Sequence, residues 1–585
     1  MSKIIPLICA IAAIVLITNG AKAQVNVSPN SVNYTTLKAA FNAINAGTHT
    51  GAIIISISGN TTETDSCVIN ANGTGSASYN RITISPTGGA ARTIQGNVNG
   101  NFIVFNGADT ITINGLNTGG NSLTISNSST GTLATTLRFF NDASNNIVTN
   151  TSIRGSSRSN TLGTIQFERG SITGNDNNTI SNCDIGPVGS NLPFCAVYSS
   201  GASGSIVNEF NTITGCNLFD FFSTVSISYG IQLTNTGNSA WTITNNKFYQ
   251  TASRTAANPI THSTISIGSG SGYIISGNTF GYASNSGTGV YTITGSVDWK
   301  YVGVNCAFST GGSNRISNNI FRNFLINTSS GASTNNGMWC SIFITAGSSS
   351  IDSNIIGDGV SNNSITVIST INLGIVVPIC SQTTSGNVSI QGNSIGSVTC
   401  KGSAADIGTG FTGVNVAAGG SGFSLTLANN IIGSNTQTNS IYSSDTLASA
   451  TGGRIMTGIN VALGWTGNVR IANNTVRNMT SGTSTVRYTG TTSATTGISC
   501  ASVGSSAGAV SIDSNIIRDV NVFQSLTTGS TSVTTGILSS GSVTQQSLNI
   551  RRNIVRDIVT TSGATSFTLP AIQGIAQTGS SVLYN

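Results

Sequence analysis

The chain reads as an all-β protein, a parallel β-helix solenoid with an N-terminal capping helix. Three observations predict this. The six-residue phrase I-x-x-N-x-I recurs along almost the whole chain. A second phrase, Gly followed by alternating apolar residues, falls between its copies. Helical patterning is almost absent outside one short segment.

The first residues form an address. Met1-Ser2-Lys3 is positive, Ile4 to Ile17 is mostly apolar, and Ala21-Lys22-Ala23 precedes Gln24 as an A-x-A cleavage site. That order is a secretory signal peptide over residues 1–23, cut between Ala23 and Gln24. The apolar stretch is short for a membrane span, contains Pro6, and has no later counterpart of 18 or so apolar residues. The mature chain is therefore expected outside the cell or on its outer surface, with no membrane span.

Next comes T-L-K-A-A-F-N-A-I-N, Thr36 to Asn45. Leu37, Ala40, Phe41 and Ile44 share one face, Thr36 suits the N-cap and Gly47 the end. A helix here would close the bottom of a solenoid, as a terminal cap must. Residues 24–110 are assigned to this cap and the first coils, and 111–585 to the repeats.

The repeat phrase starts at Ile111, Val148, Ile180, Ile213, Ile243, Ile275, Ile316, Ile351, Ile390, Leu427, Ile471, Ile512 and Ile550, spaced by 30 to 44 residues and about 37 on average. Such a period marks stacked units that share a core. Positions 1 and 6 are both apolar, yet five residues apart they face opposite sides of a straight strand. Both point inward only if the chain bends between them. The fourth position is expected to make that bend, because Asn tolerates the left-handed region. It is occupied by Asn114, Asn246, Asn278, Asn319, Asn354, Asn393, Asn430, Asn474, Asn515 and Asn553. Stacked coil on coil, their amides could bond along the axis, as in cross-β stacks.

The second phrase is seen at Gly230, Gly303, Gly337, Gly413, Gly458 and Gly497, with period-two β-branched residues that read as strand. What remains of each repeat is surface loop, for example Thr480 to Thr496. A propeller would need four strands per repeat, separate sandwiches about 100 residues each, and a calcium β-roll a repeated G-G-x-G-x-D. None fits. The chain stops at Leu583-Tyr584-Asn585, one strand after Gly574-Ile575, with no cap in sight, so the C-terminus is expected to be incomplete.

Composition narrows the function. Only 7% of residues are charged, and the net charge of +6 falls to +4 once Lys3 and Lys22 leave with the leader. No clustered basic patch supports nucleic-acid binding. Glycoside hydrolysis needs paired carboxylates and a calcium-dependent lyase several, whereas acids here are scattered. Asp352 and Asp513 share repeat position 2 but lie in separate coils, and read as turn residues. The two histidines, His49 and His262, lack Ser/Asp partners or metal-ligand spacing and are expected at the surface. Of nine mature cysteines, Cys306, Cys340 and Cys500 take the third place after Gly and read as small buried hydrophobes. Cys183 and Cys216 replace Asn at position 4 of adjacent coils; a Cys183–Cys216 or Cys306–Cys340 staple is open to an exported protein. Neither a catalytic residue nor a metal or cofactor site is expected. Arg477, Arg518 and Arg556, each followed by Asn or Asp, recur at one place in the last coils, as Arg322 does earlier. They would form either a strip for acidic ligands or a solvated charge ladder that deters sheet association.

Three stretches carry a resemblance: Y-T-T-L-K-A-A-F-N-A-I-N-A-G-T-H-T-G from Tyr34, P-T-G-G-A-A-R-T-I-Q-G from Pro86, and N-G-A-D-T-I-T-I-N-G-L from Asn106. They resemble the opening of the secreted β-strand-repeat surface proteins of Bacteroidetes-type bacteria, within the pectin-lyase-like right-handed parallel β-helix superfamily. The resemblance implies a right-handed helix and export to the cell surface. It also implies a C-terminal sorting domain for type IX secretion, which this chain does not show. A non-catalytic scaffold that presents Ser/Thr/Gly-rich loops for adhesion or carbohydrate contact is the expected function, with glycans or other cell-surface proteins as partners. A polysaccharide lyase or glycoside hydrolase is the alternative that the superfamily implies.

Overall fold

The computed structural model describes residues 24–578, apart from 203, 205, 235–236, 331–333, 371–373, 403–408, 446–454, 463, 483–494, 502–507, 525–527, 530–533, 541–547, 563–565 and 568–571. Ala23 and most of the 480–496 loop lie outside the described residues. The chain winds as a parallel β-helix. The coils contribute strands to three long sheets, many of them two strands to sheet two, and beyond the first antiparallel hairpin the strands pair in parallel with their counterparts one coil on. Sheet one holds the residues before the ladder position, as in Val469–Ala472 on Val510–Asp513. Sheet two holds those after it, as in Thr475–Ser481 on Ile516–Gln524. Sheet three holds the Gly phrase, as in Met456–Val461 on Thr495–Ala501.

At the bottom, helix α1 (Leu37–Asn45) buries Leu37, Ala40, Phe41 and Ile44. Thr36 Oγ1 accepts the Ala39 N–H at 3.1 Å. The Glu63 carboxylate takes the free N–H groups of Leu37 and Lys38 at 2.8 and 3.1 Å, where the helix dipole favours an anion. At the other end Asn45 bonds the Val68 carbonyl and the Asn70 N–H, which docks the helix onto the strand Cys67–Asn70.

The repeat phrase works differently from the sequence expectation. The left-handed residue is at position 3, not 4: φ is 57° at Asn245, 56° at Asn318, 55° at Ser353, 59° at Asn429, 55° at Asn473 and 56° at Ser514. This outward-facing turn residue swings position 4 inward. Asn246, Asn278, Asn319, Asn354, Asn393, Asn430, Asn474 and Asn515 are then fully buried. Each donates its backbone N–H and one amide hydrogen to the Oδ1 of the next coil's Asn, at 2.9–3.1 Å, as far as Asn553. The second amide hydrogen goes to the position-1 carbonyl one coil back, as from Asn354 to Ile316 at 2.9 Å. The buried amides are thus satisfied on every side.

Asn114 is not in this column. Strand register sets Ile113, not Ile111, opposite Val148, which moves Asn114 to the half-exposed position 2. There it accepts from Asn150 Nδ2 at 3.0 Å. The two-residue slip keeps every side chain on its face, because strand periodicity is two, so the sequence pattern alone does not reveal it.

A second corner repeats the device. Asn146, Asn178 and Asn211 are buried and chained by amide bonds of 3.0 and 3.1 Å. Each follows a left-handed residue: Asn145, Asn177 and Phe210. The signal was an Asn two places before the first apolar residue of the repeat.

The Gly phrase has its own cause. A Cβ at Gly458 would sit 2.6 Å from Val476, and one at Gly497 would sit 2.7 Å from Ile517. Val476 and Ile517 are position 6 of the repeat. The missing side chain on sheet three makes room for the position-6 residue of sheet two, so the two phrases belong to one packing contact. G-M-W-C at Gly337 is the exception, since register pairs Val302 with Cys340 and Ser341 holds the glycine's place. Cys340 therefore joins a small separate cluster with Val302, Val377 and Cys380, while Cys306 pairs with Ile344.

All nine cysteines from Cys67 to Cys500 are buried free thiols. At the lower, N-terminal end of the Asn column Cys216 donates its backbone N–H to Asn246 Oδ1 at 2.9 Å, and its sulfur accepts the Cys183 N–H at 3.4 Å. The histidines are buried, contrary to the surface expectation. His49 joins the Tyr34 hydroxyl (2.8 Å) to the Pro29 carbonyl (2.9 Å), which ties the first hairpin to the cap. His262 stacks on Phe222, meets Trp299 edge-on and bonds Ser228 Oγ at 2.6 Å. Burial lowers its pKa to about 3.

Three outcomes follow. Asn354→Ala would strand the Asn319 donors and the Ile316 carbonyl, and should cost about 3–5 kcal/mol in equilibrium unfolding; Asn114→Ala should cost about 1 kcal/mol or less. Ser514→Asn, at a left-handed position that Asn tolerates, should stabilise by roughly 0.5–1 kcal/mol. His262 is neutral when folded but titrates near 6.5 when unfolded, so the unfolded state binds the extra proton as pH falls. Its contribution to stability should be intact above pH 6.5 and fall by up to about 1.4 kcal/mol per pH unit between about 6.5 and 3. His262→Phe should flatten that part of the stability-against-pH curve.

Candidate functional site

Sheet one carries an open groove of about 420 Å³ that crosses four coils. Its floor is set by register. Ser350 pairs with Ser389 and Ser389 with Thr426, so one hydroxyl faces outward per coil. The corner residues Asn314, Ser348, Asn387 and Ser424 raise its rim. The same row continues to Arg315 at one end and Arg470 at the other, both exposed. Four strand spacings separate these two arginines, roughly 19 Å. The groove lining holds no carboxylate.

The adjacent outward row explains the position-2 aspartates. Asp352 accepts from Ser350 Oγ at 2.6 Å and lies 3.5 Å from Arg315. Asp513 is gripped by Arg552 and lies 3.5 Å from Arg551. Its hydrogen bonds with Arg552 hold the carboxyl down at about 2. Each aspartate thus neutralises an arginine of the neighbouring coil. Before them the row is made of hydroxyls linked between coils: Ser181 to Thr149 at 2.9 Å, Thr244 to Thr214 at 3.0 Å, and Ser317 to Ser276 at 3.1 Å.

The Arg strip is a register row on sheet two, with Arg477 directly opposite Arg518 and Arg556 one coil on. The row is not uniform. Arg477 is only 5% exposed and its Nε lacks a partner; burial, then the charge of Arg518, lowers its pKa. Arg518 and Arg556 lie 3.2 and 3.6 Å from the carboxylates of Asp519 and Asp557. The second residue of each pair is left-handed, with φ of 48° at Asn478, 55° at Asp519 and 53° at Asp557. The dipeptide therefore marks a turn, and the guanidinium groups do not make one continuous free anion surface. Arg322 belongs to this row too and donates its Nε–H to the Gly357 carbonyl at 2.8 Å.

Among the described residues no group of three His, Cys, Asp or Glu comes together as a metal site. No described helix is long and apolar enough to cross a membrane. Sequence reading missed the groove because its residues are common Ser, Asn and Thr, and only the register lines them up.

No protein-family model matches the chain. No curated protein matches it either. Among solved structures, a crystal structure of PfbA, a surface adhesin of Streptococcus pneumoniae, is similar at 12% identity and a TM-score of 0.31, covering 72% of this chain and 89% of that one. A second structure of the same adhesin matches at 9% identity and 0.25, covering 92% and 94%. The A-module of the Azotobacter vinelandii mannuronan C-5 epimerase AlgE6 matches at 10% identity and 0.20, covering 89% and 94%.

Proposed function

We propose that the chain is an exported, cell-surface or secreted β-helix that contacts extended glycans along its sheet-one flank without cleaving them. The observation that carries this is the groove floor of Ser350, Ser389 and Thr426, one hydroxyl per coil, with Arg315 and Arg470 at the ends. A linear polyhydroxylated chain laid along the solenoid axis would meet donors and acceptors at a constant step. Rigid strands position these groups better than loops would, which limits the entropy lost on binding. Arg470 suits an anionic substituent, because a guanidinium offers paired donors to carboxylate or sulfate, whereas Arg315 already faces Asp352. The carboxylate-free lining supports binding rather than hydrolysis, which requires two acids astride the bond.

A glycan array paired with a polysaccharide-depolymerisation screen tests this reading. The expected result is binding to one or more polymers without release of fragments. Ser389→Tyr, which fills the groove from an outward position, should weaken that binding at least tenfold at unchanged Tm. Cleavage of any polysaccharide would overturn the non-catalytic reading, and binding untouched by Ser389→Tyr would remove the groove from it.

A further inference from the structure

Between Arg315 and the cap, the outward face of sheet one changes character. Register stacks Thr112, Ile147, Thr179, Thr212, Thr242 and Ile274 into one column, and Asn114, Thr149, Ser181, Thr214, Thr244 and Ser276 into a second beside it. The residue between each pair, from Ile113 to Ile275, is buried in the core, so both columns face outward. No bulge interrupts these pairings. Neither column holds a charged residue or an aromatic ring. The threonines are half-buried, because neighbours one strand spacing away cover their sides. The face itself is open: Ile147 and Ile274, in the same column, are 42% and 44% exposed.

Among the described residues, the hydroxyls of Thr112, Thr179, Thr212 and Thr242 have no hydrogen-bond partner. In the second column Ser181 donates to Thr149 at 2.9 Å and Thr244 to Thr214 at 3.0 Å, which fixes those hydroxyls along the axis. The array repeats in two directions, about 4.8 Å from coil to coil and about 6.7 Å across each strand, and its six coils run roughly 24 Å. A two-dimensional array suits a two-dimensional surface better than a single polymer chain. An ionic mineral surface would call for charged side chains. A protein partner would call for aromatic, Met or Arg side chains at the centre of the face, and a crystalline polysaccharide for aromatic rings against its sugar faces. Both columns lack all of these.

We infer that this face binds ice. The prism face of hexagonal ice is uncharged and repeats its water oxygens at two spacings close to those of the array. A Thr or Ser hydroxyl both donates and accepts, so it takes the place of a lattice water. The Thr and Ile methyl groups between the hydroxyls fill the hollows of the ice surface. Each contact is weak, but the sheet holds all of them in place before binding, which limits the entropy lost. Release then requires many contacts to break together. The face shares sheet one with the groove but lies on other coils, so this inference and the glycan reading fail separately.

The test grows ice slowly from a micromolar solution of the whole chain mixed with serum albumin, and measures both proteins in the ice and in the remaining liquid. The chain should be enriched in the ice at least tenfold over the albumin, and a single ice crystal held in its solution just below melting should grow with flat facets. Thr212→Tyr raises a bulky ring from the middle of the face and should lower the enrichment at least fivefold at unchanged Tm. Thr179→Lys, which adds a hydrated charge at an outward position, is the second variant and should do the same. Ser389→Tyr in the groove should leave the enrichment intact. The inference is overturned if the ice excludes the chain as it excludes albumin, or if both face variants are enriched like the parent. It is also overturned if Ser389→Tyr alone abolishes the enrichment, or if the chain binds crystalline cellulose or chitin powder through Thr212 and not ice.

Discussion

The buried amide column is the constraint on which the rest of the molecule depends. A dry amide costs free energy unless each of its groups is bonded, and here the bonds of each Asn run to the coil before and the coil after. A one-residue slip would aim the amide outward and the apolar residues with it. The column therefore locks register coil by coil, and the outward rows inherit that order. Where Cys183 and Cys216 take the place, the sulfur still accepts the neighbouring N–H, so the column continues with a weaker acceptor.

Register in turn decides the surface. A residue pointing outward stands beside its counterpart in the next coil, at the spacing of adjacent strands. Like charges would repel along such a row, and this chain meets that cost by using few charges. Hydroxyls link to hydroxyls through Thr149, Ser181, Thr214 and Thr244. Where Asp enters the row, Arg of a neighbouring coil is set against it. The same rule makes a row of Ser and Thr into a groove floor, and on sheet two it stacks Phe219 on Tyr249.

The strain of the turns is confined to single residues. The left-handed residue at each corner is mostly Asn or Gly, which bear it at little cost. Ser353, Ser514 and Arg552 bear it at a higher one, and Arg552 is compensated by its bond to Asp513. Corners built this way are rigid and short, which leaves length variation to the long connections between sheet three and its neighbours.

The sequence by itself determined the period, the solenoid, the capping helix and the inward place of Asn246 through Asn553, because each is a repeated local choice written in neighbouring residues. It misplaced the bend by one residue, since Asn stands at both positions 3 and 4 in Asn245-Asn246, Asn318-Asn319 and Asn473-Asn474, and composition does not say which is left-handed. It put Asn114 in the column and the histidines at the surface, because register and burial are properties of the stacked coils. Only the tertiary structure decided that Arg477 is buried while Arg556 is not, and that Ser350, Ser389 and Thr426 share a groove. Adjacent members of these two rows, such as Ser350 and Ser389 or Arg477 and Arg518, are 37 to 41 positions apart in the chain and one strand spacing apart in space. The physical reason is that the phrase sets the direction of each side chain, while its neighbours depend on the loop lengths between phrases, which carry no pattern of their own.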